Sequence, residues 1–142
     1  MKQAFTLMEM QAAVLIGLIV TALAGAFLNY EYERQFRMDE QAQIRMTARA
    51  IDATLQWACF QAVAMELLED GLLIYTADHI WQLKGNDLLR NGRSMIDHRM
   101  TVQFSGIQLS GVRLELDVDL ASANFSEGAR FEYVLDNGAV GL

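Results

Sequence analysis

The chain contains no proline and a single cysteine, Cys59, among its 142 residues. Without proline, one class of helix breaker is missing and a long uninterrupted helix is permitted. One cysteine excludes an intramolecular disulfide and any four-cysteine zinc site, so an exported body of about 110 residues must hold together by packing. Histidine is scarce as well. His79 and His98 stand apart, with no HExxH spacing, and no metal is expected. Gly-x-Ser-x-Gly elbows, P-loops and GxGxxG fingerprints are all missing, and no catalytic constellation replaces them, so the reading is non-enzymatic, with no cofactor. Basic charge is also short. The net charge is −7, and all but Lys2 and Glu9 of the 11 basic and 18 acidic side chains lie after Leu28. Arg90, Arg93 and Arg99 form the densest basic group, and Asp87 and Asp97 dilute it, so DNA is not expected as a partner.

What is present begins with an apolar run. Ala12 to Leu28 carries no charge and is long enough to cross a bilayer. Lys2 precedes the run, while Glu31 and Glu33 follow it, an order that puts the N-terminus in the cytoplasm. Two plainer readings compete: a cleaved secretory signal, with small-residue sites around Ala24 but an apolar core longer than usual, and a plain single-span anchor. Neither explains Glu9, because a carboxylate at the edge of an apolar segment is costly unless paired.

The segment Lys2-Gln3-Ala4-Phe5-Thr6-Leu7-Met8-Glu9 resembles the leader and first mature residues of type IV prepilins. The resemblance covers about 30 residues, including the apolar run. It implies a leader of residues 1–4, cleavage between Ala4 and Phe5, and N-methylation of Phe5. It also implies assembly through the Phe5 amine and the Glu9 carboxylate of neighbouring subunits. Ala4 stands where the family usually has glycine. Ala26 stands where it often has proline, so no kink is expected there. The implied partners are other pilins or pseudopilins, the prepilin peptidase, an inner-membrane assembly platform and the lipid bilayer. The implied location is the bacterial inner membrane, single-pass, with the body in the periplasm or outside the cell.

Periodicity gives the rest. Ile44, Ala48, Ile51, Leu55, Ala58 or Cys59, and Ala62 step by threes and fours, so an amphipathic helical stalk is expected over residues 29–70, its helix running to the fifties or sixties with Gly71 as the stop. Glu33 and Arg37 fall i,i+4 on its outer side. Residues 71–142 read as an antiparallel β body. Strands are expected at Leu72–Thr76, His79–Leu83, Leu88–Arg90, Met100–Phe104, Val112–Leu120 and Phe131–Leu135. Turns are expected at Lys84-Gly85-Asn86-Asp87, Asn91-Gly92 and Asp136-Asn137-Gly138, and the longest loop at Ala121–Gly128. The fold class is therefore α+β: a transmembrane half-helix (5–28) and its amphipathic continuation, packed on a small antiparallel sheet, as in pilins. Trp81-Gln82-Leu83 and Leu88-Leu89-Arg90-Asn91-Gly92 further resemble a hairpin of minor pseudopilins, as in the J-type subunit of type II secretion and minor pilins of competence systems. Asp117 and Asp119, which share one strand face, are a weak calcium candidate set against an ordinary solvated face. Cys59, on the apolar helix stripe, reads as packing. Trp57, Phe60 and Trp81 read as core or helix–sheet contacts.

Overall fold

The computed structural model describes residues 6–97 and 99–135, and the chain divides into two compact units, Met1–Asp39 and Glu40–Leu142. The leader residues 1–4, Phe5, His98 and the 136–138 turn lie outside the described residues. One helix, α1 (Leu7–Phe60), supplies the first unit and opens the second.

Within the first unit α1 is exposed on nearly every side. Its start is a capping box. The Thr6 backbone N–H and hydroxyl both donate to Glu9 Oε2 at 2.9 Å, and the Glu9 N–H donates to Thr6 Oγ1 at 3.3 Å. Two of the helix's orphan donors are thereby satisfied. Past the apolar run, Arg34 pairs with Glu31 and Arg37 with the expected Glu33, each at 3.7 Å. Exposed pairs of this kind contribute only a few tenths of a kcal/mol, roughly 0.2–0.5 each. The helix runs through Ala26 without interruption.

In the second unit α1 buries the expected stripe, Ile44, Ile51, Leu55, Ala58 and Cys59. The stripe joins one core with residues from two antiparallel sheets. The first sheet is β1 (Ala62–Leu68), β2 (Gly71–Thr76), β3 (Ile80–Lys84), β4 (Asp87–Arg90) and β5 (Arg93–Ser94), in that spatial order. The second is β6 (Thr101–Ser110), β7 (Arg113–Ala121) and β8 (Ser126–Val134). The α+β class is as expected, but there are two sheets where one was anticipated.

The helix ends at Phe60, within the range expected for it, but the last residues assigned to the stalk are not helical. Residues 62–68 are a strand, paired with β2 across the two-residue turn Glu69-Asp70. The misleading signal has a physical origin. A bulge between Ala62 and Ala64 puts the inward residues Ala62 and Met65 three apart, which imitates helical spacing. Gly71 is no helix stop; it opens β2. A Cβ there would lie 1.9 Å from the Leu83 carbonyl oxygen, so only glycine fits.

Strand β7 matches its alternation. Leu114, Leu116, Val118 and Leu120 are buried, whereas Val112 falls in the preceding turn and is half exposed. The anticipated loop over 121–128 shrinks to a turn closed by the Ser122 N–H donating to the Phe125 carbonyl at 2.8 Å. Gly128 lies inside β8, facing Asp119, whose carboxylate would be 2.8 Å from any Cβ there. Strand β6 is longer than expected because Gly106, at φ +58°, permits a bulge through which pairing with β7 resumes. Asn91 and Gly92, at φ 50° and 79°, form the two-residue hairpin loop that an Asn-Gly pair favours.

Candidate functional site

The site implied by the sequence is the N-terminal half of α1. One window of 18 residues in this helix reaches a mean hydropathy of 2.2, with none of it buried. A core helix of a soluble domain would be covered. Here Val14, Leu15, Ile16, Leu18, Ile19 and Val20 are all more than half exposed and point in every direction around the axis. The helix is long and apolar enough to cross a membrane. Its polar atoms are handled locally. The Thr21 hydroxyl donates to the Gly17 carbonyl at 2.8 Å, which spares it an unsatisfied hydrogen bond in an apolar medium. Gly17 and Gly25 have open space where a side chain would be, so another helix backbone can approach closely at both.

Glu9 sits at the mouth of this segment, and its Oε2 accepts two bonds from Thr6. Among the described residues no cation pairs with it. Ala4 and Phe5, the expected cleavage and methylation positions, lie outside the described residues. Thr6 is the partner of Glu9 that sequence reasoning passed over. The signal was available, since Thr6-x-x-Glu9 ahead of an apolar run is the capping-box pattern.

The remaining candidates all lie in the second unit. Cys59 is buried in the core, which pushes its thiol up from 9.0 to about 12, far from a reactive thiolate. The neighbouring Tyr133 donates its hydroxyl to Asp52 Oδ1 at 2.8 Å, tying β8 to α1, and burial first, then Asp52, raises its pKa. Asp117 lies 3.9 Å from Arg130, and among the described residues no three His, Cys, Asp or Glu side chains gather as a metal site would require. Trp57 and Trp81 meet edge-on with centroids 6.1 Å apart, and His79 is 6.5 Å from each. The Arg90 guanidinium lies 5.7 Å from the Trp81 ring, a cation–π contact not legible in the sequence. Trp81 is core, as expected, and its indole N–H finds no acceptor among the described residues. Trp57 and Phe60 remain substantially exposed. Arg90 and Arg93 face one another across the β4–β5 hairpin, whereas Arg99 is 3.9 Å from Asp97.

No protein-family model, curated protein or solved structure matches this chain.

Proposed function

We propose that the chain is a minor pilin or pseudopilin, a non-catalytic subunit of a type IV pilus-like filament serving secretion, pilus assembly or DNA uptake. The observation that carries this reading is a carboxylate, Glu9, at the mouth of an uncovered apolar helix, directly after a Phe5-Thr6-Leu7-Met8 segment that fits prepilin processing. Cleavage between Ala4 and Phe5 creates a cationic amine on Phe5. In a bundle of such helices, that amine on one subunit meets Glu9 on the next. An unmatched charge in so apolar a setting costs several kcal/mol, of the order of 3–5, so only the register that pairs them is tolerated. The Thr6 bonds hold the carboxylate in place until the exchange. The partners are sibling subunits, the prepilin peptidase and an inner-membrane assembly platform, with the bilayer as the reservoir.

One observation favours a second reading. Glu9 already has a complete local task as the capping residue of α1, which would suffice for a single-span periplasmic factor that never polymerises. Glutamine separates the two, because it keeps the capping acceptor and removes the charge. On the filament reading, Glu9→Gln and Glu9→Ala both abolish assembly while the body's melting temperature stays unchanged. Normal assembly of Glu9→Gln would overturn charge pairing. Intact and N-terminal peptide masses from native membranes give the companion test. A methylated chain beginning at Phe5 is expected, and one beginning at Met1 supports the tethered factor.

A further inference from the structure

We propose that Tyr30 and Tyr32 form a collar that seats in one headgroup layer of a phospholipid bilayer and fixes the depth of α1, so that Glu9 rests in the opposite headgroup layer and not in hydrocarbon. The inference rests on the membrane-spanning reading of α1 and adds to it the residues that set its position.

Tyr30 is 64% exposed and Tyr32 73% exposed, although both are large amphipathic rings. They sit at a sharp boundary. The apolar run ends at Leu28, and the ion pairs Glu31–Arg34 and Glu33–Arg37 begin three residues later. Tyrosine suits that boundary, since its ring lies among acyl chains and its hydroxyl reaches water and headgroups. Two positions apart on a helix means about 3 Å along the axis and about 200° around it. The two phenols therefore lie at one level on opposite sides. A helix lying flat in the interface would present one apolar face and place its aromatic residues on that face. Here apolar side chains surround the axis and the tyrosines bracket it, the arrangement of an upright helix.

Depth follows from length. A hydrocarbon layer of about 30 Å takes about 20 residues at 1.5 Å each. Counted back from Tyr30, that places the far boundary near Met10. Glu9 and its Thr6 partner then lie just outside the hydrocarbon, where the carboxylate keeps its hydration. The cost of burying Glu9 consequently arises only when the helix leaves the lipid for a helical bundle, where a neighbour's cation can meet it. Bilayer and bundle thus demand different things of the same residue, and the collar keeps them separate.

The test uses the full chain, Cys59→Ala, in phosphatidylcholine–phosphatidylglycerol nanodiscs, which leave both faces open to a water-soluble maleimide. Single cysteines are introduced in turn by Met8→Cys, Val20→Cys, Ala26→Cys and Glu33→Cys. Fast labelling at positions 8 and 33 is expected, with labelling at 20 and 26 slower by at least about tenfold. Adding Tyr30→Ala with Tyr32→Ala should shift the boundary by about one turn, changing the rate at position 26 or 33 several-fold. Tryptophan at both sites should restore it, and phenylalanine, which lacks the polar tip, should not. A boundary unmoved by the double alanine variant would overturn the collar and leave the spanning helix standing. Slow labelling at position 8 would overturn the assigned depth. Fast labelling at position 20 would remove the spanning reading itself.

Discussion

At the scale of single residues, burial decides more than residue type. Cys59 could suggest reactivity by being alone, yet its surroundings make it inert and sensitive to alkali. Its proton is retained to about pH 12 in the folded chain and lost near 9.0 when exposed. A folded-state pKa raised above the unfolded one stabilises the fold in full below pH 9, and that contribution is lost as pH rises toward 12. The urea midpoint should therefore fall between pH 9 and 10 by a stability of the order of 1 kcal/mol. Tyr133, also raised, begins to add its own, smaller loss as pH approaches its ordinary value of 10.0. The variant Cys59→Ala should lose less than half as much stability between pH 9 and 10 in the same titration. An equal slope in both proteins would mean that Cys59 is not held protonated by the core.

At the scale of elements, the chain uses glycine in two distinct ways, and substitution should separate them. Gly111 adopts φ +60° with open space around it, so it serves the β6–β7 turn by conformation alone. Gly71 serves by having no side chain where the Leu83 carbonyl passes. Asparagine tolerates the left-handed conformation but still carries a Cβ. Gly111→Asn should thus cost less than about 1 kcal/mol, and Gly71→Asn about 3 kcal/mol or more because backbone must move, both read from urea unfolding. Equal costs would refute the distinction. The same elements show what the sequence could reveal. The β7 alternation was legible because β7 follows strict period two with one face buried, and the helix stripe from Ile44 to Cys59 followed its own period as cleanly. Strand β1 was hidden because its bulge turned a period of two into a spacing of three. The start of β8 was hidden because Ser126 and Gly128 carry turn chemistry, and only the carboxylate of Asp119 across the ladder explains why glycine is there. Of the candidate site, Glu9 stood out as a charge in an apolar segment, and its bond to Thr6 was written in their spacing. The Arg90–Trp81 contact needed the β3–β4 register, which no local pattern supplies.

At the scale of the whole molecule, the buried apolar side chains that form the core run from Ile44 to Leu135, all within the second unit. Residues 7–39 offer the opposite composition of surface, with Leu15, Leu23, Phe27 and Tyr32 each more than 60% exposed. Such a surface cannot stabilise a fold in water, and it is what a lipid or a neighbouring helix would cover. Stability of the body and an uncovered segment long and apolar enough to cross a membrane are therefore separable features of the chain. A chain beginning at Asp39 tests this, since Asp39 supplies a capping carboxylate for the shortened helix and every core residue is retained. It should be soluble without detergent and unfold in one cooperative transition. Its melting temperature should lie within a few degrees of that of the full chain in detergent, roughly the 4–8 °C that 1 kcal/mol represents for a domain of this size. The full chain should partition into membranes under the same conditions. An aggregating or molten fragment would mean that the body draws stability from residues 7–38, so that the exposed helix and the folded core would not be separable.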